Sequence, residues 1–135
     1  MKENCSILCD EISLALEPVF SSSSQVISAL FFGSIATGDY SGKSDIDIAV
    51  YVRDPSKFLF GDRLELHGAC CRALYRNDVD LVVMNQLRNL ILLEHIIRKG
   101  KVIYSIDHDE LDNFMVETLH KVIDFRYQRD NAMHL

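Results

Sequence analysis

The stretch Phe31–Tyr51, FFGSIATGDYSGKSDIDIAVY, decides how the chain is read. It passes from one apolar segment through a glycine-rich turn into a second that opens with Asp45 and Asp47. The segment before the turn, Val26–Phe32, is predominantly apolar and stops at Gly33, which predicts a buried strand. Asp45–Val52, rich in β-branched residues, predicts another. Residues two apart in a strand share a face, so Asp45 and Asp47 are neighbours with Cα atoms about 7 Å apart. Ile46, Ile48 and Val50 then face the core. Strands disfavour aspartate, and like charges this close repel unless a cation sits between them. Hard divalent cations take carboxylate oxygens, so the pair points to a metal site.

A third carboxylate comes from Asp78–Met84, DVDLVVM, a predicted third strand. Asp80 abuts the buried LVVM and is the favoured partner of Asp45 and Asp47. Asp78 shares its parity, so the two are not fully separable from the sequence. Three acids beside a glycine turn suggest two-metal phosphoryl chemistry, with ions about 4 Å apart. Gly33 lets a phosphate approach the backbone. Ser34 adds a hydroxyl, and the residues after it are expected to open a short helix whose N–H groups face an anion.

Working outward, Ile7, Leu8, Ile12, Leu14 and Leu16 recur at helical spacing and predict a first helix ahead of Pro18. Ser21–Ser24 reads as a polar loop. Asp54 before Pro55 predicts a helix start, with the helix running to about Tyr75. QLRNLILLEHIIRKG predicts a helix stopped by Gly100, with Arg98 and Lys99 in the last turn, where the dipole favours cations. KVIYS predicts a fourth strand, and a long amphipathic helix follows from Asp107, to about 130. The expected fold is α/β (α+β), a small mixed β-sheet with flanking helices. Strict strand–helix alternation is missing, which argues against a doubly wound dinucleotide fold.

The 135 residues suit one domain spanning 1–135, and 48% hydrophobic with 25% charged residues is ordinary globular composition. A net charge of −6 lacks the basic footprint of a phosphate-gripping nucleic-acid binder, so no direct nucleic-acid contact is expected. Cys5, Cys9, Cys70 and Cys71 form no C-x-x-C pair and read as reduced buried thiols, which suits the cytoplasm. The acid-interrupted N-terminus does not read as a signal peptide, and no apolar run is long enough to span a bilayer.

Gly33-Ser34, ten residues, then Asp45-x-Asp47 gives G-S-x10-D-x-D. This resembles the nucleotidyltransferases of the DNA polymerase β superfamily, and most of all the minimal nucleotidyltransferases. Ala36, Gly38 and Ser44 also fall where that family commonly has them, and the likeness covers about residues 25–105. The resemblance implies a polymerase β-like core. Asp45 and Asp47 would hold two Mg²⁺ ions, and Asp80 would hold the catalytic ion and help deprotonate the attacking hydroxyl. Gly33 and Ser34 would cradle the β- and γ-phosphates, with Lys43 and Ser44 at the same nucleotide. The reaction would move AMP from ATP onto a hydroxyl. Many such proteins are antitoxins that add AMP to a tyrosine of a HEPN-type ribonuclease toxin, which implies a toxin partner here. The chain departs from the pattern at Ile35 and Thr37, where relatives often carry arginine or lysine. Two further functions stay open: transfer to a small molecule such as an antibiotic hydroxyl, with extra substrate-binding structure supplied by a homo-oligomer, and neutralisation of a toxin by binding alone.

Other motifs carry less. SGKS, Ser41–Ser44, lacks the glycine at position 37 that a Walker A loop requires, and a strand follows it. Arg129 and His134 have R-x4-H spacing, as in HEPN ribonuclease sites, but a lone pair near one end coincides easily. His67, His95, His108 and His120 have no metal-site spacing.

Overall fold

The computed structural model describes the backbone of residues 2–41 and 44–133, and the side chains of residues 8–41 and 44–130. Cys5, Gly42, Lys43 and His134 therefore lie outside the described side chains. Four strands form one mixed sheet: β1 (Val26–Phe32), β2 (Ile46–Val52), β3 (Val79–Val83) and β4 (Lys101–Ser105), in the order β3-β2-β1-β4. β1 is antiparallel to both β2 and β4, and β2 is parallel to β3. The helices are α1 (Lys2–Ser21), the single-turn α2 (Ser34–Thr37), α3 (Phe60–Leu74), α4 (Leu90–Lys99) and α5 (His108–Met133). The expected small mixed sheet with flanking helices is what the chain forms.

The pleat sorts the side chains into two cores. Ala29, Phe31, Ile46, Ile48, Val50, Val79 and Val83 join Leu16 and Phe20 of α1 and Leu66 and Cys70 of α3. On the other face Leu30, Phe32 and Ala49 meet Met84, Leu93 and Ile96, together with Leu111 of α5. β1 is buried along its whole length because it is central and covered on both sides. In α5, Leu111, Thr118 and Val122 recur at helical spacing and are buried, while residues 123–130 are all exposed. Cys9, Cys70 and Cys71 form no disulfide, and burial pushes the Cys70 thiol up to about 12, which makes it an inert core group.

Two helix limits differ from the sequence reading. Pro18 does not end α1, which continues to Ser21. Proline removes one backbone donor, but the fully buried Leu16 and Phe20 on either side keep the path helical, and Ser22 N–H still reaches Pro18 O at 3.1 Å. α3 begins at Phe60 and not at Asp54–Pro55. The Asp54 carboxylate accepts from the backbone and hydroxyl of Ser56 and closes a turn, the alternative that aspartate offers a chain at a helix start. Asp62 Oδ2 instead accepts from Leu59 N–H at 2.8 Å to open the helix. Among the described residues no helix is long and apolar enough to cross a membrane.

Candidate active site

The end of β1 and the starts of β2 and β3 meet at one end of the sheet. In the antiparallel pair Phe32 stands opposite Asp47, so the chain enters the turn at Gly33 directly beside that aspartate. In the parallel pair Asp47 stands opposite Asp80, with Ile46 opposite Val79. Strand registers therefore deliver two carboxyl groups from separate β-segments to the same face. The Asp80 carboxyl is near enough to that of Asp47 to act on its ionisation. Asp47 is half-buried, whereas Asp45 and Asp80 are exposed.

The electrostatics of this pair are uncompensated. Burial, then the charge and hydrogen bond of Asp80, then the charge of Asp45, push the Asp47 carboxyl up to about 6. Among the described residues the ion pairs are Arg76–Asp78, Arg98–Glu94 and Arg126–Glu94, and none includes Asp45, Asp47 or Asp80. The same residues contain no set of three His, Cys, Asp or Glu side chains already gathered as a metal cage. Asp80 stands opposite Asp47, and Asp45 acts on Asp47 through its field. Such a set fits a divalent cation in chemistry: its donors are all hard oxygens, and the half-buried member has no ion-pair partner among the described residues.

Gly33 is dictated by its surroundings. Its φ of 70° and ψ of −150° belong to a region that glycine alone occupies readily. A Cβ there would lie 2.2 Å from Asp47 Oδ2. The turn and the carboxylate therefore touch, and only a hydrogen fits between them. Ser34 opens α2, and the Ala36 and Thr37 N–H groups close on Gly33 O. Gly38, with φ of 86°, ends that turn in the left-handed region.

The remaining sequence candidates are placed as follows. Ser44 directly precedes Asp45, and its hydroxyl meets Ser41 Oγ at 3.1 Å. Lys43 lies outside the described residues. Asp78 and Asp80 differ in their surroundings: Asp78 is bound by the Arg76 guanidinium, while Asp80 stands opposite Asp47. Arg76 holds Asp78 below the usual carboxylate range. Ile35, at a position where relatives often carry a cation, is 2% exposed and belongs to the core between the sheet and α1. Thr37 bonds Asp39 instead.

Sequence reasoning missed Arg76 and Tyr40. Arg76 donates to Asp78, to Tyr40 Oη and, at 2.8 Å, to Ser44 O. The only sequence signal was an arginine two residues ahead of Asp78. A cavity of 480 Å³ opens at the opposite end of β1, lined by residues that include Ser22, Gln25, Lys57 and Asp62. Its size does not locate the chemistry, because it contains none of the carboxylates gathered by the strand registers.

Comparisons with known proteins identify the fold and the family. The chain covers 90% of itself and 95% of a chain in a toxin–antitoxin complex crystallised with AMP-PNP, at 24% identity and a TM-score of 0.75. It is also similar to a chain of a complex between the tri-AMPylated Shewanella oneidensis HEPN toxin and its MNT antitoxin, at 21% identity and a TM-score of 0.70, over 99% of this chain and 97% of that one. A variant MntA toxin–antitoxin complex is 26% identical over 92% of this chain and 93% of its own, with a TM-score of 0.69. No curated protein sequence matches. The family model described as polymerase beta, nucleotidyltransferase matches residues 15–109, more than two thirds of the 135 residues. From the G-S turn to the paired aspartates, the chain belongs to the polymerase β nucleotidyltransferase family.

Proposed function

We propose that the protein is a Mg²⁺-dependent adenylyltransferase that moves AMP from ATP onto a tyrosine hydroxyl of a HEPN-type toxin and so acts as its antitoxin. The observation that carries this is the opposition of Asp47 and Asp80 across β2 and β3, against Gly33 and with no ion pair to a basic side chain among the described residues. Similar folds occur in antitoxins bound to HEPN toxins, one of them AMPylated. Asp45, Asp47 and Asp80 would hold two magnesium ions. Bound there, magnesium would neutralise the triphosphate and lower the barrier to attack at the α-phosphorus.

The chain's own residues would do the rest. Gly33, with no side chain, leaves room for the β- and γ-phosphates above the turn, and the Ser34 hydroxyl donates to them. Ser44 and Lys43 flank the same nucleotide. Asp80, the more exposed member of the pair, accepts the proton of the acceptor hydroxyl. The new bond joins that oxygen to the α-phosphorus. The α-phosphorus bond to the bridging oxygen breaks, and pyrophosphate leaves with that electron pair. Asp47, pressed between Gly33 and Asp80, fixes the distance between the turn and the acids.

The test is to incubate the protein with α-labelled ATP, Mg²⁺ and the protein encoded beside it. Label is expected on a partner tyrosine and absent with Asp47→Ala. Equal labelling by wild type and variant, or none by either, overturns the assignment. Neutralisation of the toxin in cells by an Asp45→Ala, Asp47→Ala double variant would leave binding alone as the mechanism.

A further inference from the structure

We infer that Arg76 is a positioning residue for the cation and nucleotide: its guanidinium bolts the start of β2 to the start of β3, and so sets Asp45 and Asp47 against Asp80. The inference rests on the proposed reading of those acids. Arg76 forks onto both oxygens of Asp78, two residues before Asp80. The same group donates to the carbonyl of Ser44, the residue before Asp45, at 2.8 Å. A further N–H reaches Tyr40 Oη, and the guanidinium lies 5.8 Å from the centre of the Tyr40 ring. One planar fork thus ties the return of the glycine-rich turn to both acid-bearing strands. Next to it, Ile46 N–H donates to Asp78 O at 3.0 Å, the first rung of the parallel pair.

The backbone aims this side chain at some expense. α3 ends with Tyr75 in the left-handed region, at φ 54° and ψ 39°, although it is not glycine. Arg76 N–H then closes back on Cys71 O at 3.1 Å, the pattern of a left-handed helix cap. The chain turns sharply there and points Arg76 at the two strand mouths. Tyr75 itself is 95% exposed, so no burial of its ring explains the strained conformation. Arginine suits the task and lysine does not, because only a planar fork serves a carboxylate and a carbonyl together.

The experiment compares wild type with Arg76→Met and Arg76→Lys, each checked by circular dichroism and thermal melting for a folded population. Mn²⁺ binding is read from the electron paramagnetic resonance signal of the free ion, without ATP or turnover. Removing a positive charge near three acids would by electrostatics alone tighten Mn²⁺ binding. Loss of positioning does the opposite. Arg76→Met is expected to bind Mn²⁺ about tenfold more weakly, the scale seen when groups that orient metal ligands are removed. Arg76→Lys should recover little of that loss. Amide exchange at Ser44 and Ile46, followed by NMR, should accelerate in both variants. Unchanged or tighter Mn²⁺ binding by folded Arg76→Met overturns the inference, as does unchanged amide exchange. If the wild type itself gathers no Mn²⁺, the proposed function falls, and the amide exchange still decides whether Arg76 joins the two strand mouths.

Discussion

Two acidic spots in this molecule are buried to different depths and behave in opposite ways. Glu94 on α4 is only 8% exposed, yet it remains a carboxylate: burial pushes it up, and hydrogen bonds from Arg98 and Arg126 more than offset that. Asp47 is half-buried and is pushed up to about 6, because its nearest charged neighbours are further aspartates. Burial alone does not set the difference. What matters is whether the fold supplies the counter-charge. Glu94 has its cations built in and joins α4 to α5. Asp47 has none among the described residues, so a cation from solution is its expected compensation. A third case, Asp78, sits two residues from the uncompensated Asp80 and is fully answered by Arg76.

The comparison can be broken most directly at Asp47. Asp47→Asn is expected to lower AMP transfer by about a thousandfold or more, the scale of losing a preorganised electrostatic group. The melting temperature of the metal-free protein should not fall, since the substitution relieves repulsion. A clear loss of stability would mean that Asp47 serves the fold. Next comes Gly33→Ala. Its methyl group must displace Asp47 Oδ2 and occupy a positive φ. Transfer should fall about a hundredfold, with about 1–3 kcal/mol of stability lost to backbone strain, read by urea unfolding.

Glu94→Ala sharpens the other side. It leaves Arg126 and Arg98 without their shared partner and should lower the melting temperature by about 2–5 °C. The folded fraction should transfer AMP at the wild-type rate. A slower rate per folded molecule would show that α5 influences the acids. The smallest effect is in the pH dependence of metal-free stability. The folded-state pKa of Asp47, about 6, exceeds its ordinary 3.8, so between those values the folded state holds a proton that the unfolded state has released. Stability attributable to Asp47 must therefore fall as pH rises through roughly 4 to 6 and level off above. Thermal melting of wild type against Asp47→Asn isolates that slope, and Mg²⁺ should cancel the high-pH loss. Identical slopes in the two proteins would place the proton elsewhere.

Much of this was legible before any coordinates. All four strands were marked by apolar or β-branched runs, the first ending at Gly33, the second ahead of Asp54-Pro55 and the fourth opening after Gly100, and the parity of Asp45, Asp47 and Ile46 gave both faces of β2. The glycine turn and its spacing to Asp45-x-Asp47 carried the family resemblance. Pro18 and Asp54-Pro55 misled because their local preferences were overruled, the first by the burial of Leu16 and Phe20, the second by a turn closed on Ser56. Asp78 and Asp80 could not be separated by parity, because the group that makes their surroundings differ, Arg76, is placed by contacts such as the one to a carbonyl 32 residues away in the chain. The missing loop cation at Ile35 likewise needed tertiary context, since that side chain fills the core beneath the turn.

The direct opposition of Asp47 and Asp80 has one more consequence. Side chains alternate along a strand, so sliding β3 by one residue past β2 would bring Val79 or Leu81 opposite Asp47 and send the Asp80 carboxyl through to the α1–α3 side. A mis-zipped molecule would then have no place to gather a divalent ion. An ion that bound only the aligned form would draw the population toward it. In this chain the chemistry would also proofread the edge of its own sheet.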